Sequence, residues 1–113
     1  MPTYYEPPAR RVFFADGNNQ VYVPKDEDTI INYTIDWSRL LSTDTIVTST
    51  WTAEGGVSVG SPVSSNTTTT ATAWVAGTDG KITNTIITTA GLTLQRSVAF
   101  NSYRSTRRDY TWY

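Results

Sequence analysis

Few residues of this chain combine the type and spacing that chemistry needs. Asp26-Glu27-Asp28 is its densest carboxylate run and could be imagined as a metal cluster or an acid–base pair. A hard cation takes about six oxygens from a defined loop, and no Asx-rich loop follows, so a solvated charged linker is the ordinary reading. Asp36 beside Trp37 could be a buried acid, although a carboxylate that caps or bonds a turn explains it as well. The sequence contains no His and no Cys, which removes the usual neutral-pH proton shuttle, the thiolate nucleophile and Cys- or His-based metal sites. The serines therefore have no imidazole to activate them in an ordinary hydrolytic triad. Gly55-Gly56 and Gly77…Gly80 read as turn glycines, with no phosphate-binding or dinucleotide fingerprint around them. No enzyme, metal or cofactor is expected.

Binding is the remaining chemistry. Trp37, Trp51 and Trp74 could stack sugars, but they stand within strand-like text, where large rings normally fill a small core. Arg10-Arg11 and Arg107-Arg108 could touch phosphates, yet nucleic-acid binders concentrate far more positive charge. The net charge of −1 hides an asymmetry. Residues 1–15 and 101–113 together carry +3, and residues 16–100 carry −4. The basic ends are also aromatic. Tyr4, Tyr5, Arg10, Arg11 and Phe13 stand on one side, and Tyr103, Arg104, Arg107, Arg108, Tyr110, Trp112 and Tyr113 on the other. Disordered tails are poor in aromatics, whereas Tyr, Trp and Arg anchor interfaces, so these twelve residues are the expected partner-binding set.

The elements that would hold these ends are β-strands. From Ile30 the period is two, with Ile31, Tyr33, Ile35 and Trp37 on one face and Asn32, Thr34 and Asp36 on the other. Ser38–Leu41 suits a single helical turn, capped by an oxygen of Asp36 or Ser38. Thr45–Thr52 reads as a strand, Glu54-Gly55-Gly56 as a turn, and Val57–Val59 as a weak strand. Thr67–Val75 is β-branched, Ala76–Gly80 reads as a hairpin closing into Ile82–Thr89, and Ala90-Gly91 as a turn before a last strand from Leu92 to Phe100. Upstream, Val12–Phe14 and Gln20–Pro24 could form a small hairpin around Asp16-Gly17-Asn18-Asn19, with Lys25–Asp28 as a charged link.

With 113 residues and 38% apolar content there is room for one modest core. No stretch approaches the roughly 18 apolar residues of a membrane span, and Met1–Glu6 has no signal-peptide character. Turn signals about every 8–12 residues predict a disulfide-free immunoglobulin-like antiparallel β-sandwich over residues 26–100. It is flanked by an N-terminal arm with a possible short hairpin (residues 1–25) and an aromatic-basic C-terminal arm (residues 101–113).

One series of short motifs is more particular. It comprises Tyr33-Thr-Ile-Asp-Trp-Ser38, Leu41, Asp44-Thr-Ile46, Ser49-Thr-Trp-Thr52, Thr68-Thr-Thr-Ala71 with Trp74, Ala76-Gly77-Thr78 with Gly80, Thr83-Asn-Thr-Ile86 with Thr88 and Gly91, and Arg96-Ser-Val98. Over about residues 26–98 this series resembles the phage fiber–tail adaptors, a family of small immunoglobulin-like proteins of tailed bacteriophages. The resemblance implies a virion structural protein, made in the host cytoplasm, that bridges the tail tube or its adaptor ring to a receptor-binding fiber. It also implies several copies around the tail, with other virion proteins as partners and neither nucleic acid nor membrane among them. The Pro-rich N-terminal extension and the aromatic-basic tail depart from the family pattern, at the places where a sandwich would be tailored to its neighbours. Docking by strand addition to a neighbour's sheet edge suits such arms. The same sandwich would also serve a capsid decoration protein or, with exposed tryptophans, a carbohydrate-binding module.

Overall fold

The computed structural model describes residues 11–15, 20–25, 28–60 and 63–102. Among them are β1 (Val12–Phe14), β2 (Gln20–Lys25), β3 (Ile30–Asp36), the single-turn helix α1 (Ser38–Leu41), β4 (Ile46–Val59), β5 (Ser65–Asn66), β6 (Thr70–Thr88) and β7 (Thr93–Ser102). All seven strands join one sheet, so the fold is all-β.

That sheet is organised by one strand. β6 is 19 residues long and belongs to two leaves at once. Its first half, Thr70–Ala76, pairs with β3, and its second half, Gly80–Ile87, pairs with β7. Along its other side β4 follows it from Thr88 to Val75, and β5 continues that line at Thr72 and Ala71. Between the halves the sheet folds over on glycine. Gly55 pairs with Gly80 and Val57 with Gly77, with a register shift between them. A Cβ on Gly77 would lie 2.2 Å from the Gly56 carbonyl oxygen, and its φ of +84° is one that L side chains rarely adopt. The expected turns at Gly55-Gly56 and Gly77–Gly80 are thus bends through which both strands continue; the chain does not reverse there. A bulge with strong local twist does this where two long strands must change direction together.

The folded sheet encloses a core that the two-residue period built. Tyr33, Ile35 and Trp37 are buried and Ile31 is half-buried, as the alternation predicts. Their partners across β6 are small, Ala73 opposite Tyr33 and Ala71 opposite Ile35, which leaves room for the rings. Tyr33 meets Phe100 of the other leaf at 5.0 Å between ring centroids and stacks on Phe13 at 6.4 Å. Trp37 is fully buried and donates its indole N–H to Asn84 Oδ1 at 2.9 Å. The Asn84 amide in turn donates to Ser49 Oγ and to the Thr50 carbonyl. This one side chain therefore ties the end of β3 to β6 and β4. Asp36 proves to be the turn-bonding carboxylate, accepting from the Ser38 N–H at 2.9 Å at the start of α1.

The N-terminal strands form where expected but do not make a hairpin with each other. β1 pairs with β3 and β2 with β7, both in parallel, so the sheet is mixed and the two strands border opposite leaves. A free two-stranded hairpin is marginal in water. Apart, each strand places a side chain in the core, Phe13 from β1 and Val23 from β2. Lys25 is likewise no part of a solvated link. It ends β2 with its side chain buried, donating to the carbonyls of Thr29 and Gly77 at 2.6 and 2.7 Å. That placement pins β2 to the bend.

Candidate interaction surface

Of the twelve expected partner-binding residues, Tyr4, Tyr5, Arg10, Tyr103, Arg104, Arg107, Arg108, Tyr110, Trp112 and Tyr113 lie outside the described residues. Arg11 is exposed just before β1. Phe13 is buried against Tyr33 and belongs to the core; the strand period turns it inward and its neighbours outward. The exposed ring is Phe14, which carries the Arg39 guanidinium 3.7 Å from its centroid.

The topology fixes where the two ends join the sheet. β7 runs toward the bend, where Phe100 pairs with Gly80 and Ser102 with Lys25. β1 runs parallel to β3 and away from the bend. The C-terminal segment therefore leaves at the bend pole, whereas β1 begins level with Thr34, two residues from the end of β3 that leads into α1. α1 and the Thr89–Gly91 turn form the opposite pole, where Thr88 N–H bonds the Leu92 carbonyl.

At that far pole Asp44 organises the junction. One of its carboxylate oxygens accepts from the Thr45 and Ala90 N–H groups at 2.9 and 3.2 Å. The nearby Thr88 hydroxyl first, and then these two amides, hold its carboxyl below the usual carboxylate range against an opposing desolvation.

The outer faces explain the threonines. Cross-strand hydroxyl pairs run over both leaves: Thr34 with Thr72 at 2.7 Å, Thr83 with Ser97 at 2.8 Å and Thr45 with Thr89 at 2.6 Å. Such a surface hydrogen-bonds but carries few ionisable groups. A shallow cleft between β1 and β2 is lined by Phe13, Ile35, Val21 and Val98, with Arg96 its one charged wall. Among the described residues no group of three or more carboxylates could hold a metal, and no helix is long and apolar enough to cross a membrane.

The tryptophans divide. Trp37 is core, Trp51 is half-buried against the core, and Trp74 pairs with Asn32 on the outer face of its leaf, half-buried. Four strands border the sheet, and sequence reasoning did not anticipate how unequal they are. β1 has three residues, β5 two, and β2 contains Pro24. β4 alone presents a long edge, and Glu54 is its only charge.

No curated protein and no solved structure matches the chain. A family match covers residues 25–101, from the last residue of β2 almost to the end of β7. With that match, the chain belongs to the family described as Podophage GP4 fiber-tail adaptor protein gp77.

Proposed function

We propose that this chain is a structural adaptor of the phage particle that joins the tail, at its tube or adaptor ring, to receptor-binding fibers through its two terminal segments. The observation that carries the reading is the family match. The matched residues supply the sheet from β3 to β7, and the aromatic-basic segments continue the chain beyond the two ends of the described sheet. A rigid β-body sets spacing, and Tyr, Trp and Arg side chains on its extensions latch neighbouring proteins. Several copies suit a rotationally symmetric tail. The composition supports a role without catalysis, since neither His nor Cys is present.

Gold-labelled antibody against residues 26–100 on intact particles tests the location. Label confined to the point where fibers leave the tail is the expected result. Label spread over the head would replace this reading with a capsid decoration role.

A further inference from the structure

The long edge of β4 has β6 on one side and no strand on the other among the described residues. Thr88 N–H bonds the Leu92 carbonyl, so the backbone groups of Thr88 face β7, and by alternation those of Ile86, Asn84 and Ile82 do too. The groups of Ile87, Thr85, Thr83 and Lys81 then face β4, where they meet Thr48, Thr50, Thr52 and Glu54. This leaves the N–H and C=O of Ser49, Trp51 and Ala53 pointing away from β6, with no strand beside them among the described residues. The stretch lies between two register shifts, at Ile46/Thr48 and Gly55/Val57, and is regular between them. Proteins usually blunt such an edge with Lys, Pro or a bulge within it. Here the interior of the edge has none of these, and the half-buried Trp51 ring sits on it with an indole N–H that is buried without a partner.

We infer that residues 103–113 of a second copy of this chain add to this edge as an antiparallel strand, so that each copy gives an arm and receives one. Length and direction both suit it. Eleven extended residues reach about 36 Å. Pairing from Ala53 to Ser49 takes about 17 Å, which leaves about 20 Å to cross between copies. The arm leaves β7 at the bend pole, and β4 runs toward that pole, so an arm turning back is antiparallel to β4. Within one chain β6 and β4 stand between β7 and this outer edge in the pairing order.

The chemistry of the arm also fits. Tyr110 and Trp112 are two residues apart and would share one face of an added strand, so that one can stand opposite Trp51 and the other diagonal to it. At the bend end of the edge Arg104, Arg107 and Arg108 would enter past Glu54, whose carboxylate also meets Lys81 Nζ at 3.3 Å. The contact is heterologous, arm side to edge side, and such contacts close into rings. It draws on the adaptor reading only for the expectation of several copies.

The test is the mass of the full chain by light scattering across a concentration series, with two variants. Wild type should exceed one chain. A chain stopped after Ser102 and an Ala53→Pro chain should each fall to one chain. The proline removes only an outward N–H, so its circular dichroism and melting should stay close to wild type. If Ala53→Pro melts early, Ala53→Lys replaces it, charging the edge while keeping the ladder. Mixed one to one, the stopped chain (intact edge) and the Ala53→Pro chain (intact arm) should recover a two-chain species. A single-chain wild type, a variant that keeps the wild-type mass, or a mixture that stays at one chain would each overturn arm exchange. None of those outcomes touches the particle-labelling result, so the two readings fail separately.

Discussion

Replacing Asn84 with alanine should be among the most damaging single changes in the core. The side chain is fully buried and makes three hydrogen bonds, at 2.9 Å from Trp37 Nε1, 2.8 Å to Ser49 Oγ and 3.0 Å to the Thr50 carbonyl. Each is worth about 1 kcal/mol net, and the orphaned indole N–H of a fully buried Trp37 adds about 1–3 kcal/mol of uncompensated desolvation. The total is about 4–6 kcal/mol, a large share of the roughly 5–15 kcal/mol that holds a domain together. Urea unfolding followed by Trp fluorescence should show the midpoint falling by about 2–3 M at unchanged slope. Trp37→Phe removes the donor and orphans Asn84 Oδ1, so the double variant should cost about 1–2 kcal/mol less than the sum of the singles. Additivity within about 0.5 kcal/mol, or an Asn84→Ala cost under about 1 kcal/mol, would refute a polar tie between β3 and the second leaf.

The bend and the far pole can be tested separately. Gly77→Ala must place a Cβ 2.2 Å from the Gly56 carbonyl oxygen, and should cost more than about 4 kcal/mol or prevent folding. Gly91→Ala has a similar positive φ but open space, and should cost only about 1–2 kcal/mol by thermal melting. Trp37→Ala should cost about 3–5 kcal/mol as a large-to-small core change; under 1 kcal/mol would mean the ring is not packed. Asp44 has a lowered pKa in the folded chain, so its contribution is present above the unfolded value and is lost as pH falls through the folded one. An acid titration of the melting temperature should therefore fall less steeply for Asp44→Asn than for wild type.

Much of the body was readable because its signals are local. The face of Ile31, Tyr33, Ile35 and Trp37, the turn at Ala90-Gly91 and the Asp36 bond to Ser38 each depend on a few adjacent residues. What was not readable depends on partners far along the chain. Gly55, Gly56, Gly77 and Gly80 look like two turns one at a time, and only their pairing across β4 and β6 makes them a shared bend. Val12–Phe14 and Gln20–Lys25 have strand text, but nothing in that text says which edge each will take. Asn84 is a polar residue in a threonine-rich strand, and its burial follows from Trp37 arriving 47 positions away. Lys25 looked solvated because three acids follow it, yet the Gly77 carbonyl lies within its reach. The partner-binding residues were read from composition alone, and ten of the twelve lie outside the described residues, while period identifies the strands but not the bordering order that leaves β4 open.

The unequal attachment of the two ends has a mechanical consequence. A pull on the N-terminal side loads β1, which is held to β3 by three paired residues. A pull on the C-terminal side loads β7, held along eight residues of β6 and six of β2 and sheared lengthwise. Ladders that share a load in shear resist far longer than a short strip that can yield at once. Under tension the first event is therefore release of β1, which uncovers Phe13, Tyr33 and Ile35 while the rest of the sheet holds. The chain behaves as a link with one firm end and one that gives.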